Sequence, residues 1–350
     1  MELLEKLCTI NGVSGDEADV KAYIEEQIRP YCEEILTDNL GSLIAFRKGR
    51  KRAPKKLMFA AHMDETGYYV TRIDESGLIC FQSIGVSVNV TPGQRVRIKS
   101  TAADKPSYID GVIGLPPIHM TPRDKERDVP PYKKLRIDIG AKNKDDAASR
   151  VCIGDSVYFD GEFGKLGQLV KAKALDDRVG CATMIKLIQQ EPEYDCWFAF
   201  NVQEEVGCRG SAATAFALRP EVAVILEGTT AADIGAVEGG EKVCIAGQGV
   251  ALSFADRSTT YDPRVLRAVT KIADKNNVLW QYKTFVSGGN DAGRIQRTAS
   301  GCYVCALSVP VRYLHSRISA ASVKDIDSML DMSRAIINNY EDLCKDLEQE

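Results

Sequence analysis

The sequence predicts an α/β protein in which both ends of the chain build one sheet domain and a smaller all-β domain is inserted between them. The chain of 350 residues, 44% of them hydrophobic, is long enough for two domains. Helix and strand patterns alternate at its start and again after Ala172. Between about residues 67 and 164, short β-rich runs follow one another between Gly, Pro, Asp and Ser turns, without a long amphipathic helix.

The N-terminal part predicts two amphipathic helices followed by short strands. The segment SGDE, residues 14–17, places a capping serine three positions before a glutamate and predicts a helix that reaches about Ile28. The strand candidates that follow are EEILTD, SLIAF and KKLMFAA.

The insertion and the C-terminal part supply the remaining elements. The strands expected in the insertion are GYYVTRI, GLICFQSI, QRVRIKS, DGVIGL, KLRIDIGA and DSVYFDG. Residues 114–134, rich in proline and charge, predict an exposed loop. Further on, we expect helices at DDRVGCATMIKLIQQ, SAATAFAL and PRVLRAVTKIADKNN, strands at CWFAFNVQ, EVAVILE and CYVCALSVPV, and one long final helix at residues 322–347.

Composition and charge exclude several classes of function. The net charge of -4 is spread along the chain without a long basic run, so nucleic acid is not an expected partner. No window approaches the roughly 18 consecutive apolar residues that cross a bilayer, so no membrane partner is expected either. Because the N-terminus lacks the pattern of a signal peptide, we expect the protein in the cytoplasm.

The eleven cysteines fit reduced, mostly buried thiols better than disulfides, because their number is odd and several lie in apolar strand or helix patterns. Cys302 and Cys305 form a CxxC pair within the apolar run GCYVCALSV, and no second pair accompanies them. Core packing is therefore favoured over a metal or redox role for this pair.

The segment AAHMDETG, residues 60–67, places a histidine and two carboxylates at the end of a buried strand candidate. Strand side chains alternate between faces, so His62 and Asp64 are expected to point the same way at the edge where open α/β sheets bind ligands. A neutral imidazole can bind a metal through one nitrogen while a carboxylate fixes its tautomer through the other. Taken alone, the segment is explained as well by a surface histidine with ordinary hydrogen bonds.

Further acidic and histidine residues follow other predicted strands. In CWFAFNVQEEVG, Glu204 and Glu205 end an apolar strand, where two ionised carboxylates repel each other unless a cation compensates them. One glutamate of this pair could serve as a metal ligand and the other as a general base, although a solvated turn is the ordinary explanation. Two aspartates precede a helix in KAKALDDRVG, where an N-cap role suffices for one of them. Glu227 ends another buried strand, and His315 closes an apolar run in SVPVRYLHSR.

These clusters indicate a shared metal site when they are taken together. Two of the three histidines and at least four carboxylates fall at the C-terminal ends of predicted strands. Mixed histidine and carboxylate ligands suit zinc, cobalt or manganese, and a bridging carboxylate suits a hydrolase with two ions roughly 3.5–4 Å apart.

Six ordered motifs resemble the co-catalytic metallo-aminopeptidases of family M42, which include tetrahedral (TET) and glutamyl aminopeptidases. The motifs are HMDETG, ALDDRVG, QEEVGCRGS, the acidic residue of ILEGTT, GGNDAGRIQ and RYLHS. The resemblance implies an α/β sheet sandwich metallopeptidase domain at residues 1–66 and 165–350. It also implies an inserted, barrel-like β domain at residues 67–164 that serves oligomerisation.

The resemblance further implies a role for each matching residue, with two divalent ions per subunit, zinc or cobalt first and manganese as a further candidate. The implied metal ligands are His62 for one ion, Asp176 as the bridge, Glu205 and His315 for the other ion, and Glu227. Glu204 matches the general base of metal-assisted peptide hydrolysis, and Asp64 matches the residue that orients His62. The family usually has a cis peptide bond between the two aspartates of DDR.

Glu227 departs from the family pattern, which typically has aspartate at this position. Related carboxypeptidases and deacylases with the same metal core often use glutamate there. An amidohydrolase, carboxypeptidase or deacylase therefore stays open beside an aminopeptidase that removes N-terminal residues from peptides. A non-catalytic, metal-stabilised assembly protein is disfavoured, because Glu204 would then be an acidic residue beside a charged site without serving as a metal ligand.

The remaining expectations concern three residues and the assembly. Arg178 could clamp a substrate carboxylate, but a structural salt bridge is favoured. Asp291 could meet the ammonium group of a substrate or cap the helix that follows it. His119 matches no motif and is expected on the surface or in an assembly contact. In the resembling proteins, dimers form a hollow tetrahedral dodecamer, so a homo-oligomer acting on peptides is expected.

Overall fold

The computed structural model describes residues 1–103, 107–115, 117, 119, 130–235, 237–286 and 288–349. Much of the loop expected at residues 114–134 lies outside these residues, whereas His119 is among them and is exposed.

The described residues form the following elements. The strands are β1 Glu34–Thr37, β2 Leu43–Arg47, β3 Leu57–His62, β4 Gly67–Ile73, β5 Ile79–Ile84, β6 Arg95–Ser100, β7 Ser107–Gly114, β8 Arg136–Asp138, β9 Ser156–Phe159, β10 Gly164–Leu166, β11 Leu169–Ala172, β12 Cys196–Asn201, β13 Val222–Thr230, β14 Val250–Leu252, β15 Trp280–Tyr282, β16 Tyr303–Arg312 and β17 Ser319–Ser322. The α-helices are α1 Glu2–Thr9, α2 Ala18–Ile28, α3 Lys144–Ala148, α4 Leu175–Ile188, α5 Arg209–Leu218, α6 Pro263–Lys275, α7 Ala292–Ile295, α8 Val323–Asn338 and α9 Tyr340–Glu348.

A large mixed sheet forms the centre of the first domain. Its strand order is β1-β2-β12-β3-β13-β16-β17-β11-β10, and β14 pairs with both β15 and β16. The four central strands β12, β3, β13 and β16 are parallel, whereas β2 and β17 pair antiparallel with this group. Because parallel strands end at the same edge, the segments that follow these central strands meet there.

Helices cover both faces of the large sheet. In β3, residues 57, 59 and 61 pack in one apolar cluster, and residues 58 and 60 pack in another. The first cluster includes residues of α1, α2, α4, α6, α8 and α9, and the second includes residues of α5 and α7. Burial on both faces explains the continuous apolar run LMFAA of β3. The expected α/β sheet sandwich is therefore confirmed.

The strands of the insertion close into a separate six-stranded antiparallel barrel, in the order β4-β5-β8-β7-β6-β9. The barrel has an apolar core of its own, which includes Tyr68, Val96, Ile98 and Ile137. The expected barrel-like β domain is thereby confirmed as a fold. Its boundaries at residues 67 and 164 stay a prediction.

All eleven cysteines are free thiols. Cys302 and Cys305 are buried and pack in different apolar clusters on the two faces of the large sheet, which agrees with the expected packing role. Within the part of the chain that the structure describes, no helix has both the length and the apolar character needed to span a membrane.

Two local expectations about helix ends are wrong. Ser14 does not cap α2, because its hydroxyl donates to Asp64 Oδ2 at 2.6 Å and the N-cap position belongs to Glu17. The expected single final helix is interrupted at Asn339, which separates α8 from α9. The Asn339 side chain donates to the Ala335 carbonyl oxygen at 2.8 Å, and such local bonds compete with continuation of a helix.

A buried ion pair connects the end of β3 to the start of α4. Lys173 Nζ donates to the two carboxylate oxygens of Glu65 at 2.5 and 2.7 Å, and both side chains are at most 4% exposed. Beside them, the buried Arg178 donates to the carbonyl oxygens of Met63 at 3.0 Å and Ile10 at 3.1 Å. These contacts agree with a structural role for Arg178.

We expect Glu65→Gln to lower the free energy of unfolding by about 3–5 kcal/mol, because Lys173 would keep a buried charge without its partner. Urea unfolding followed by circular dichroism measures this change. The matched control is Glu75→Gln, which removes the carboxylate of the exposed pair between Glu75 and Lys144 and should leave stability unchanged. Equal effects of the two substitutions would contradict the prediction.

Candidate metal centre

The parallel centre of the large sheet brings the predicted metal-binding segments to one edge. Asn201, the last residue of β12, lies beside His62, the last residue of β3. Ile225 of β13 lies beside Ala60, which places Glu227 at the level of His62. His315 follows the end of β16 and reaches this edge from a left-handed backbone conformation with φ 57°.

Three side chains meet around the Nε2 atom of His62. This atom lies 3.4 Å from Asp176 Oδ1 and 3.6 Å from Glu227 Oε2. The side chain of His62 is 1% exposed and that of Glu227 is 6% exposed. Because the candidate ligand atoms all lie within 4.8 Å of one another, one divalent cation could contact all three residues.

A second group of three shares Asp176 with the first. Asp176 Oδ2 lies 3.6 Å from His315 Nε2, and that nitrogen lies 3.4 Å from Glu205 Oε1. The two carboxylate oxygens of Asp176 thus face different histidines, the arrangement that a carboxylate needs to bridge two ions. The peptide bond between Asp176 and Asp177 is cis, as the resemblance implies.

Asp64 joins the histidine segment to the EE segment. Its Oδ1 accepts a hydrogen bond from Glu204 N at 2.9 Å, and its Oδ2 accepts from Glu205 N at 3.1 Å and from the Ser14 hydroxyl. His62 Nδ1 lies 3.4 Å from Asp64 Oδ1 and 3.0 Å from the backbone oxygen of Asp64. These contacts direct the Nε2 atom of the ring toward Asp176 and Glu227, which fits the expected orienting role.

Two further contacts fix the DDR segment against the sheet. Asp177 Oδ1 accepts from Gly180 N at 2.9 Å, and Asp177 Oδ2 accepts from His62 N at 3.2 Å. Asp177 therefore connects the first turns of α4 to β3. Gly228 N donates to Asp176 Oδ1 at 3.1 Å, and a Cβ at residue 228 would lie 2.9 Å from the Asp176 side chain, so glycine is required there.

The barrel contributes one contact that sequence reasoning missed. The carbonyl oxygen of Gly85, next to β5, lies 3.1 Å from His315 Nδ1 and can fix the tautomer of that ring. Gly85 has φ 69°, and a Cβ there would lie 3.1 Å from Glu205 Oε2. Because 230 positions separate Gly85 from His315, no local sequence pattern could have revealed this contact.

Glu204 lies next to both groups in an open cleft of about 770 Å³. Its carboxylate, half-buried, is within 4.8 Å of candidate ligand atoms of His62 and Glu205. The cleft is also lined by Gly85 and Ser87 from the barrel side. A carboxylate at this place can reach a molecule that enters the cleft, as a general base must.

Burial changes the proton affinity of the carboxylates in this centre. It raises the pKa of Glu205 to about 7 and the pKa values of Glu204 and Glu227 well above their usual range. In addition, Glu227 Oε1 is buried and has no hydrogen-bond partner among the described residues. Nearby positive charge from divalent cations would satisfy this oxygen and lower the cost of ionising the three carboxylates.

The pKa values of the two histidines are also raised, but by the neighbouring carboxylates and not by burial. Burial lowers the pKa of His315, but its hydrogen bond to Asp176 and the charge of Glu205 raise it to about 9 overall. For His62, burial likewise lowers the pKa, whereas hydrogen bonds to Asp176 and Asp64 raise it well above its usual value. Two imidazoles and three carboxylates are donors that suit zinc, cobalt or manganese, so the residues present fit a pair of such ions.

Asp291 and His119 do not join either group of three. Asp291 is fully buried, and its Oδ2 accepts from Asn201 Nδ2 at 2.7 Å. It does not cap α7, since the first N–H of that helix donates to Asn290 Oδ1 at 2.8 Å. The capping explanation of Asp291 is therefore wrong, and its contact with a substrate ammonium stays a prediction.

Comparisons with known proteins show which proteins this chain is similar to. The model of the M42 glutamyl aminopeptidase family matches residues 41–332. A protein of Acetivibrio thermocellus with the provisional name of an aminopeptidase is 37% identical over 334 residues, which are 95% of this chain and 96% of that protein. The structure of a TET aminopeptidase from Thaumarchaeota archaeon SCGC AB-539-E09 matches with a TM-score of 0.93 and 30% identity over 99% of this chain and 98% of that one. The TET1 peptidase of Pyrococcus horikoshii, which can assemble into a tetrahedron or a large octahedral shell, matches with a TM-score of 0.83 and 30% identity over 96% of this chain and 98% of that one.

We expect Asp64→Asn to weaken the binding of divalent cations by about 10–100-fold, because a contact that orients a candidate ligand is altered. An amide has only one acceptor oxygen, so either Glu204 N or Glu205 N would face an NH₂ group. Equilibrium dialysis with zinc measures the affinity. The control Asp155→Asn alters another buried carboxylate, which accepts from Thr101 N and Cys152 N away from the centre. Unchanged affinity in Asp64→Asn would contradict the prediction.

We expect cation binding to release protons and to strengthen as the pH rises toward 9. The metal-free His315, with its pKa raised to about 9, holds a proton at neutral pH that the cation must displace. Each displaced proton makes the affinity rise by up to about tenfold per pH unit below that pKa. Titration calorimetry in two buffers of different ionisation enthalpy counts the protons. The same apparent binding enthalpy in both buffers would mean that none is released.

Proposed function

The chain belongs to the M42 glutamyl aminopeptidase family, and from this membership we propose that it is a two-metal aminopeptidase that removes N-terminal residues from peptides. The family is one of peptide-hydrolysing metalloenzymes. The observation that carries the proposal is the shared carboxylate of Asp176, whose two oxygens face His62 and His315 beside an open cleft.

In this proposal, each group of three around Asp176 holds one divalent cation. His62 and Glu227 complete the first site, and Glu205 and His315 complete the second. Zinc or cobalt suits these ligands best, and manganese is a further candidate. When bound, the two ions supply Lewis-acid activation of a water molecule and of the scissile carbonyl group.

Glu204 acts as the general base. Its carboxylate takes a proton from the attacking water and later gives it to the leaving amine. Burial raises the pKa of this carboxyl, so Glu204 holds an accepted proton more firmly than an exposed glutamate would. Asp64 holds the backbone of Glu204 through a hydrogen bond of 2.9 Å, so the carboxylate keeps its place at the cleft.

The alternative functions, which are those of a carboxypeptidase, a deacylase or another amidohydrolase, would use the same metal ligands and differ in substrate. Glu227, longer by one methylene than the aspartate expected at its position, still reaches 3.6 Å from His62. This distance supports a ligand role for the longer side chain and gives no reason to abandon peptide amino termini as the substrate. The aminopeptidase names of the relatives favour this substrate over C-terminal residues or acylated amino acids.

We also propose that the protein forms a homo-oligomer through its barrel domain. The similarity to the TET1 peptidase extends over nearly the whole chain, the barrel included. On β7 of the barrel, Tyr108 and Val112 each leave 48% of their surface exposed on one side of the strand. A tetrahedral dodecamer built from dimers is the assembly that we expect, located in the cytoplasm, where the free thiols stay reduced.

The function is tested with a panel of aminoacyl amides that have free amino termini, each beside its N-acetylated counterpart. The protein is stripped of metal and then supplied with zinc, cobalt or manganese. We expect metal-restored hydrolysis of the free amino termini alone. Cleavage of the acetylated substrates alone would favour a deacylase instead, and no cleavage of either set would favour a non-catalytic protein.

In the same assay, the substitution Glu204→Gln distinguishes the proposed role of general base from the role of metal ligand. We expect it to lower kcat by about 10²–10⁴-fold with two ions still bound, because the amide cannot accept the proton. Glu205→Gln is the matched control and should lose an ion as well as activity. Metal content measured by atomic emission distinguishes the two, and loss of metal from Glu204→Gln would overturn the assignment.

A further inference from the structure

A third group of potential ligands consists of Glu204, Cys208 and Asp291. Cys208 Sγ donates to Glu204 Oε1 at 3.2 Å, and one carboxylate oxygen of Asp291 lies within 4.8 Å of candidate ligand atoms of both residues. Glu204 and Cys208 line the cleft, so a small ion could reach them from solvent. None of the five expected metal ligands belongs to this group.

Asp291 points to a ligand because one of its oxygens lacks a partner. The side chain is fully buried, and Oδ2 accepts from Asn201. The Ser211 hydroxyl lies beside the carboxylate and favours its charged form, but it donates to Cys208 O at 3.1 Å, and Oδ1 has no hydrogen-bond partner among the described residues. A buried carboxylate oxygen without a partner costs free energy. Because α7 does not use this side chain as a cap, the helix does not account for the carboxylate either.

Cys208 is held rigidly beside Glu204. Cys208 N donates to Glu204 O at 2.9 Å, which closes a tight turn, and φ 55° places the residue in the left-handed region just before α5. Zinc binds thiolate sulfur at about 2.3 Å and carboxylate oxygen at about 2.0 Å, so a tetrahedral ion holds them about 3.5 Å apart. The observed 3.2 Å between Cys208 Sγ and Glu204 Oε1 therefore needs little adjustment.

We propose that Glu204, Cys208 and Asp291 form a separate binding site for a thiophilic divalent cation, zinc or cadmium, and that occupation of this site inhibits the enzyme. The thiol proton of Cys208 leaves to solvent as the sulfur binds the ion. No oxidant or reductant is needed. Thiolate selects zinc and cadmium over manganese, so the site discriminates between the metals that could serve the hydrolytic pair.

The inhibition rests on the proposed function, since it works through Glu204. A carboxylate that donates its electron pair to an ion cannot take the proton of the attacking water. The enzyme with two zinc ions is therefore active, and the enzyme with a third is not. Free zinc above the level that fills the hydrolytic pair would stop the reaction.

The test uses the full-length, zinc-loaded protein, to which further zinc is added during hydrolysis of an aminoacyl amide. We expect the wild type to be inhibited and Cys208→Ser to need at least about tenfold more zinc for the same inhibition, because it lacks the thiolate. Cys152→Ser, which removes a half-buried thiol outside the cleft, is the control and should behave as the wild type. Equal inhibition of Cys208→Ser and the wild type would overturn the proposal.

Cadmium binding gives a readout that does not depend on hydrolysis. With the hydrolytic pair filled, cadmium should bind to one more site and produce a thiolate-to-cadmium charge-transfer band, present in Cys152→Ser and lost in Cys208→Ser. The same band in Cys208→Ser, or its absence from the wild type, would refute the site. If the band appears as expected while no aminoacyl amide is hydrolysed, the cation site stands and the proposed aminopeptidase function fails.

Discussion

The geometry of the candidate metal centre depends on the hydrogen bonds that the carboxylate of Asp64 accepts. This carboxylate accepts hydrogen bonds from Ser14, Glu204 and Glu205 and lies 3.4 Å from the ring of His62. Three segments that are distant in sequence are thereby held against one buried group. Burial raises the pKa of Asp64, but the hydrogen bond and the charge of His62, followed by the hydrogen bonds from Ser14 and Glu204, lower it overall, so the carboxylate stays ionised while it holds these segments.

The acidic residues around this centre divide into those that the protein neutralises itself and those that it does not. Glu65, one residue after Asp64, is compensated by Lys173 at 2.5 Å. Glu227, in contrast, has a buried oxygen without a partner among the described residues, and burial raises its pKa well above the usual range. Glu227 faces His62 at 3.6 Å but, in the described part of the chain, has no lysine or arginine partner like that of Glu65, and this contrast supports the proposal that Glu227 receives a cation.

The sequence patterns predicted the sheet domain, the inserted all-β domain and the edge at which the candidate ligands meet, because apolar runs mark buried strands and the acidic residues follow them directly. The barrel form of the insertion came from the family resemblance. The sequence patterns could not predict contacts between distant segments, such as the bond from Ser14 to Asp64 or the approach of Gly85 to His315. Ser14 illustrates the reason. A local pattern favoured a helix cap, but a buried carboxylate 50 positions away offered the stronger partner.

The contact of Gly85 gives a structural reason for the insertion of the barrel between β3 and β10. The His62 group is set by strands and α4 of the sheet domain alone, and His62 is 1% exposed. The His315 group also needs the barrel, whose Gly85 carbonyl oxygen fixes the second ring, and His315 remains 36% exposed. The two groups therefore differ in access to solvent and in their dependence on the barrel, since His315 takes a contact from it.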